Sequence, residues 1–142
     1  MANVFTHVNL PVADVEASIA WYEAHTPLVL QGRDSVGGVG EVALLAEDAD
    51  GAFVGLIQSD QDRQATTMLG TNPLGHLGLE LEDRAAVDTA VQHATDADCL
   101  VFGPVDHPKA GYFCMLRDPD GNNVELSVGQ SLPALLAGLA EA

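Results

Sequence analysis

The chain is poor in basic residues and in cysteine, and it lacks a long apolar run. Its 142 residues include five Lys and Arg against 21 Asp and Glu, which gives a formal charge of −16 at pH 7. A surface of this charge repels nucleic acid and anionic lipid, so we expect neither as a partner. No stretch of the sequence approaches the roughly 18 to 20 apolar residues that a membrane-spanning helix requires.

The two cysteines and the N-terminus indicate an intracellular setting. Two cysteines are too few for a disulfide framework, and Cys99 and Cys114 fall in predicted strands, where a thiol behaves as a small buried hydrophobe. The first four residues, MANV, contain neither a basic segment nor an apolar signal core. We therefore expect a soluble cytoplasmic protein.

The chain contains one module twice. Residues 48–56 (DADGAFVGL) recur as residues 118–126 (DPDGNNVEL), and the segment HVNL at His7 recurs as HLGL at His76. A repeat of about seventy residues exceeds the usual length of solenoid repeats and indicates two pseudo-symmetric halves of one domain. The length of the chain also fits one domain with a sizeable core.

Each half has the pattern of a βαβββ module. In the first half, strands are predicted over 4–10, 28–31, 39–47 and 52–58, with a helix capped by Asp14 that ends near His25. In the second half, strands are predicted over 74–81, 100–105, 112–117 and 122–128, with a helix capped by Asp83 that ends near Thr95. The sequence therefore predicts an α+β domain over residues 1–130, made of module 1 (1–58), a linker (59–73) and module 2 (74–130).

A short helix is predicted after the second module, over residues 131–142. Ser131 can cap it, and its leucines form one apolar stripe. We expect this stripe to pack on its own domain or on a dimer partner.

Strand alternation places three potential metal ligands on the faces that the helices do not cover. His7 and His76 occupy the same position in the two repeats, and Glu125 lies on the polar face of the last strand. Singly, each has an ordinary explanation as a solvated strand residue, but their shared placement favours a metal site. Two imidazoles and a carboxylate, with positions left for water or substrate, suit Fe(II), Mn(II), Zn(II) or Ni(II).

These features resemble the vicinal oxygen chelate superfamily, which includes glyoxalase I, methylmalonyl-CoA epimerase, extradiol dioxygenases, fosfomycin-resistance enzymes and bleomycin-binding proteins. The resemblance covers roughly residues 4–129. It rests on the paired modules, on both histidine strands, on DVEAS at 14–18 with Trp21-Tyr22, and on RDPDGNNVEL at 117–126. It implies a U-shaped mixed sheet around a metal cleft with the helices outside, and it puts His7, His76 and Glu125 at the metal positions. Small members often form homodimers in which modules of different chains complete each site.

The sequence departs from the superfamily at the fourth metal position, which falls on Gly55. Glyoxalase I has a glutamate there, and the epimerase has a glutamine or a similar donor. Gln58 lies three residues further along the strand, so alternation turns it to the other face unless a bulge intervenes. The remaining set of two histidines and one carboxylate resembles extradiol dioxygenases and fosfomycin thiol transferases.

Three further residues are candidates for proton transfer or orientation: His107, Tyr112 and Glu41. Their alternative explanation is ordinary strand and loop surface. His107 matches the histidine of the extradiol signature, whose tyrosine falls on Met115 in this sequence. A phosphonate such as fosfomycin needs several cations, and this chain has few, with Lys109 the best placed near the cleft.

The resulting hypothesis is a metal-dependent enzyme of glyoxalase or dioxygenase type. It would act on a small substrate with two vicinal oxygens, by ring-cleaving dioxygenase chemistry or by lyase or isomerase chemistry. The alternative is a bleomycin-type protein that sequesters a cationic drug without catalysis, which the charge of −16 fits. The three candidate ligands argue against that alternative, and metal content discriminates between the two.

Overall fold

The βαβββ pattern occurs in both halves of the computed structural model, which describes residues 5–60 and 75–140, with the backbone alone at 139 and 140. The chain divides into two compact units, Met1–Met68 and Leu69–Ala142. Each unit contains one four-stranded mixed sheet. This confirms the predicted α+β class with two βαβββ modules.

The first unit contains five described elements. They are β1 (His7–Pro11), α1 (Val15–His25), β2 (Val29–Val36), β3 (Gly40–Ala46) and β4 (Phe53–Ser59). The sheet order is β1-β4-β3-β2, with β1 parallel to β4 and the other pairs antiparallel. Helix α1 begins where expected because Asp14 Oδ1 accepts a hydrogen bond from the Ala17 backbone N–H at 3.2 Å. It packs against β2, β3 and β4 and buries Ile19 and Tyr22.

The second unit repeats this arrangement and adds a helix. Its elements are β5 (Leu77–Glu80), α2 (Arg84–Asp96), β6 (Leu100–His107), β7 (Gly111–Arg117), β8 (Asn123–Val128) and α3 (Leu132–Ala140). The sheet order is β5-β8-β7-β6, with β5 parallel to β8. Asp83 caps α2 through a 2.8 Å hydrogen bond from the Ala86 N–H, and α2 covers β6, β7 and β8. The buried apolar side chains of this unit include Val87, Leu116 and Leu126.

The observed bounds differ from the sequence prediction mainly in the outer strands. Strand β2 continues to Val36, beyond the predicted end at Gln31, because its polar second half pairs with β3 although it lacks an alternating pattern. Ser59, placed in the linker, is the last residue of β4, and residues 61–73 of that linker lie outside the described residues. The division into residues 1–130 and a terminal helix therefore stays a prediction.

Helix α3 is the most exposed of the helices. Leu132 and Leu136 are 68% and 55% exposed, whereas Leu135 is half-buried. Within the described residues, α1, α2 and α3 are all too short to cross a membrane as an apolar helix.

Candidate metal site

The second unit brings two of the predicted ligands together. His76 Nε2 lies 3.7 Å from Glu125 Oε2. His76 comes one residue before β5, which runs parallel to β8, and Gly78 of β5 is paired with Glu125. Because paired residues project from the same face of a sheet, His76 and Glu125 share the face that strand alternation predicted.

Glu125 is a buried carboxylate with an unused oxygen. The residue is 5% exposed, and no hydrogen-bond donor among the described residues reaches its Oε1 atom. Burial raises the pKa of the Glu125 carboxyl above its usual range, while the His76 imidazole and the Gln130 side chain act in the opposite direction. A buried carboxylate oxygen without a donor is costly, so the arrangement favours a cation as its partner.

The separation of the two side chains fits a shared ion. Nitrogen and oxygen ligands lie about 2.1 Å from zinc and similar ions, so two of them at angles of 90 to 110° are about 3.0 to 3.4 Å apart. The observed 3.7 Å is too long for a hydrogen bond and is close to this range. Small side-chain movements would therefore let both residues ligate one ion.

The DPDGNN segment that revealed the repeat holds this site in place. Asp118 is buried, and its carboxylate accepts hydrogen bonds from the backbone N–H groups of Asp120 and Asn122 and from the Asn122 side chain, at 2.7 to 3.0 Å. Asn123, which is fully buried, donates from Nδ2 to the Gly75 carbonyl at 3.2 Å. This bond fixes the chain immediately before His76, two residues from Glu125 on β8.

The first unit presents its histidine in a different setting. His7 is exposed at the start of β1, its ring stacks on Phe53 with centroids 4.8 Å apart, and its Nδ1 shares a 2.8 Å hydrogen bond with Thr6 Oγ1. The tautomer in which Nδ1 donates this bond leaves the Nε2 lone pair available to an ion. Phe53 is the partner of His7 in the sheet. In the second repeat the residue that corresponds to Phe53 is Asn123, so an aromatic ring lies beside His7 where a carboxamide residue lies near His76.

A carboxamide takes the space of the carboxylate missing from the first unit. Gly55 is paired with Asn9 of β1, just as Glu125 is paired with Gly78 of β5. The side chain of Asn9 lies where a Cβ atom on residue 55 would be, whereas a Cβ on Gly78 would meet nothing within 4 Å. In the first unit the polar side chain is on β1, and in the second unit it is on β8, a relationship that the sequence analysis missed.

Gln58 is turned away from Gly55. Strand β4 pairs with β3 without a bulge over its whole length, so residues three apart project from opposite faces. The Gln58 side chain accepts a 2.9 Å hydrogen bond from the Val15 N–H at the start of α1. It therefore occupies the helix-covered face.

Glu41 and Tyr112 each have a partner within their own unit. Glu41 is paired with Gln58 on the helix-covered face of the first unit and is hydrogen-bonded to Ser35. Tyr112 donates a hydrogen bond to Asp88 of α2 and lies under the Arg84 guanidinium, 4.1 Å from the ring centroid. The bond to Asp88 raises the pKa of the Tyr112 phenol, with smaller contributions in the same direction from desolvation. Their catalytic roles stay predictions.

His107 organises the turn between β6 and β7. Its Nδ1 accepts hydrogen bonds from the backbone N–H groups of Lys109 and Ala110 at 3.1 and 3.0 Å. An imidazole nitrogen that accepts two backbone donors is unprotonated, so the remaining ring nitrogen carries the proton in the neutral form. The structure thus gives His107 a role in shaping the turn that precedes Gly111.

A cavity of about 450 Å³ opens beside the His76–Glu125 pair. The residues that line it are His76, Lys109, Ala110, Glu125, Gln130, Leu135 and Gly138. Within residues 5–60 and 75–140, no group of three or more His, Cys, Asp or Glu side chains has the spacing of a metal site. The set of His7, His76 and Glu125 therefore stays a prediction, of which the second unit supplies two neighbouring members.

Comparison with known proteins decides the family. The sequence profile of the glyoxalase/bleomycin resistance protein/dioxygenase superfamily matches residues 4–126. The chain belongs to this superfamily. A relative within the curated proteins is the uncharacterized Pseudomonas aeruginosa protein PA2024, which is 38% identical over 136 residues and aligns with 93% of each chain.

Solved structures show the same glyoxalase-type fold. The trypanothione-dependent glyoxalase I of Leishmania major has a TM-score of 0.75 at 18% identity and aligns with 99% of this chain and 95% of its own. The antibiotic-binding protein TnmS3 of Streptomyces sp. CB03234 has a TM-score of 0.68 at 20% identity and aligns with 89% of this chain and 96% of its own. At these identities the likeness concerns the fold of this superfamily alone.

Proposed function

We propose that this protein is a metal-dependent superfamily enzyme that acts on a small molecule with two vicinal oxygens. The observation that carries the proposal is the buried Glu125 carboxylate, whose Oε1 lacks a donor among the described residues while His76 lies beside Oε2. His7 would complete the set of ligands, either within one chain or across two copies in a homodimer. The ion would be Fe(II), Mn(II), Zn(II) or Ni(II), which accept imidazole and carboxylate ligands.

The bound ion would act as a Lewis acid on the two vicinal oxygens, and iron would add the capacity for dioxygen chemistry. The protein's own groups orient the ligands: Asn123 holds the chain before His76, and the Asp118 turn holds the start of β8. Met115 is paired with Glu125 and buried, so it presents an apolar wall where the extradiol signature has a tyrosine. Gly55 likewise lacks the carboxylate that glyoxalase I has at its position. Lyase or isomerase chemistry and ring cleavage both remain branches of the proposal.

A sequestering protein is the second candidate. It is favoured by the charge of −16, which attracts a cationic drug, and by the likeness in fold to an antibiotic-binding protein. A binder that does not use a metal has no need of a buried carboxylate beside a histidine. The metal-dependent enzyme therefore explains the buried Glu125 beside His76, which the sequestering protein leaves unexplained.

Metal binding separates the two candidates. The protein is purified under native conditions for elemental analysis, and its metal-free form is titrated with Mn(II), Fe(II), Ni(II) and Zn(II) in calorimetric and thermal-unfolding experiments. We expect about one ion per predicted site, and we expect Glu125→Ala and His76→Ala to weaken binding by about a hundredfold or more, since removing even an indirect supporting group costs ten- to a hundredfold. Activity screens on catechols, a hemithioacetal and fosfomycin then distinguish the branches.

Glu82→Ala is the matched control, because it removes one exposed carboxylate of the same unit and changes the net charge equally. Its metal affinity should equal that of the wild type. Unchanged metal affinity in Glu125→Ala would overturn the ligand assignment. A wild-type protein without stoichiometric metal, and without a metal-dependent rise in unfolding temperature, would favour sequestration.

A further inference from the structure

A basic side chain lines the cavity beside His76 and Glu125, although the chain has few basic residues. Of the five Lys and Arg residues, Lys109 lines this cavity. Among the described residues, Arg33 pairs with Glu16 at 2.6 Å and Arg84 with Asp106 at 2.7 Å, and no carboxylate pairs with Lys109. The Lys109 ammonium is thus placed near the predicted metal site without the acidic partner that neutralises those two arginines.

The surrounding backbone fixes the position of Lys109. The Lys109 N–H donates to His107 Nδ1 at 3.1 Å. The turn closes at Gly111, whose φ is +76° and which lies against the Val128 carbonyl so closely that a Cβ atom would collide with it. These contacts hold the base of the lysine side chain at the rim of the cavity, while its ammonium extends toward α3.

Hydrogen bonds also fix the position of Gln130, another residue that lines the cavity. The Glu80 side chain, at the end of β5, accepts hydrogen bonds from the N–H groups of Gly129 and Gln130. This places Gln130 in the cavity wall and sets the start of α3. Leu135 and Ala110 supply apolar surface between the polar groups.

The Lys109 ammonium has capacity left for a ligand. Nζ donates one hydrogen bond, to the Gly138 carbonyl near the end of α3 at 3.2 Å, and an ammonium carries three donors. One ammonium and one carboxamide can satisfy a single carboxylate. A phosphate or phosphonate dianion generally needs several cations or a nest of backbone N–H groups.

We propose that Lys109 binds a carboxylate of the substrate, so that the substrate class is a small monoanionic acid whose vicinal oxygens lie at the His76–Glu125 end of the cavity. This rests on the proposed function above. The local cation offsets the repulsion that a chain of net charge −16 exerts on an anion, because charges beyond about 8 Å are screened at physiological salt. Leu135 and Ala110 would contact the hydrocarbon part of the acid.

The test uses two probes that differ in one group: catechol and 3,4-dihydroxybenzoate. Both offer vicinal oxygens, and the second adds a carboxylate. Binding to the metal-loaded, full-length protein is measured by calorimetry for the wild type, Lys109→Met, Lys109→Arg and Arg84→Met. We expect the wild type to bind 3,4-dihydroxybenzoate at least about tenfold more tightly than catechol, since a charge-assisted hydrogen bond to Lys109 is gained.

Lys109→Met should abolish this preference while changing catechol binding less than about twofold, and Lys109→Arg should retain part of it. Arg84→Met is the matched control, because it removes one charge of the same unit outside the cavity, and it should keep the full preference. An equal loss for both probes in Lys109→Met would show that the lysine acts only by holding α3 through Gly138, and would overturn the inference. An absent preference in a wild type that binds metal would overturn it alone, whereas failure to bind metal would overturn the proposed function with it.

Discussion

The side chain of Asn9 occupies the space that a Cβ atom on residue 55 would take. In the second unit the relationship is reversed, because Glu125 carries the side chain and its partner Gly78 has open space in place of one. The two halves of the repeat thus use the same pair of sheet positions with the large and small residues exchanged. With Asn9 in this position, a carboxylate side chain at position 55 has no room.

This pairing predicts coupling between positions 9 and 55. Gly55→Glu should destabilise the protein by about 1 kcal/mol or more, since the new side chain must displace the Asn9 carboxamide. Adding Asn9→Gly, which reproduces the Gly78/Glu125 pair, should restore most of the loss. Urea unfolding of both single variants and the double variant measures the coupling energy.

Gly32 supplies the control for this cycle. It lies in the same sheet, and a Cβ atom there would meet nothing within 4 Å. Gly32→Glu should therefore show additive behaviour with Asn9→Gly. Additivity at position 55 as well would contradict the inferred packing.

The two Asp-x-Asp-Gly turns should differ in their contribution to stability. Asp118 is 4% exposed and accepts hydrogen bonds from the Asp120 N–H and from the N–H and side chain of Asn122, so Asp118→Ala leaves buried donors without a partner and should cost about 2 to 4 kcal/mol. Asp48, its counterpart in the first repeat, is exposed and accepts one bond from the Asp50 N–H. Asp48→Ala should cost less than about 1 kcal/mol. Equal losses of unfolding free energy for the two variants in chemical unfolding would show that the burial of Asp118 does not matter.

Asn123 should influence metal binding without being a ligand. Its side chain holds the Gly75 carbonyl, and so the backbone before His76. Asn123→Ala should weaken metal affinity by about tenfold, as the loss of other groups that orient a ligand does. Ser127→Ala, a buried substitution on the same face of β8, should leave metal affinity unchanged. If both variants bind metal as the wild type does, Asn123 has no part in placing His76.

Strand alternation predicted that His76 and Glu125 project from the same face of the sheet, and their pairing partners agree with this. The face of each side chain could be predicted from the sequence because β5 and β8 are regular strands that pair without a bulge. The helix starts could also be predicted from the sequence, because the side chains of Asp14 and Asp83 each cap a helix. Strand alternation and helix capping, which are both local features of the sequence, were thus enough to predict much of the fold.

The rest of the site depends on contacts that no local pattern encodes. The position of the Asn9 side chain over Gly55 depends on side-chain packing between paired strands. Lys109 and Gln130 line the same cavity because His107, two residues from Lys109, and Glu80, fifty residues from Gln130, hold the turns that carry them. Strand β2 was predicted too short, since its exposed second half forms through pairing with β3 and not through its own pattern.

Cys114 should be almost unreactive in the folded protein. The residue is fully buried, and burial raises the pKa of its thiol to about 11. Near pH 8 the thiolate fraction is then about a hundredfold lower than for a thiol at its ordinary value of 9.0. In a Cys99→Ser background, iodoacetamide should modify the native protein at least about a hundredfold more slowly than the urea-unfolded protein. Comparable rates in the two states would show that the thiol is accessible.

The same thiol predicts a loss of stability at high pH. Because the pKa of Cys114 is higher in the folded protein than in the unfolded chain, the folded state retains the proton between about pH 9 and pH 11 while the unfolded state releases it. The free energy of unfolding should therefore fall across this window and level off above it. Tyr112, whose pKa is also raised, contributes to this fall, but it is present in both proteins, so the comparison with Cys114→Ala isolates the thiol. Chemical unfolding at intervals from pH 8 to pH 11 should show a steeper fall for the wild type than for Cys114→Ala, and parallel curves would mean that the thiol does not contribute.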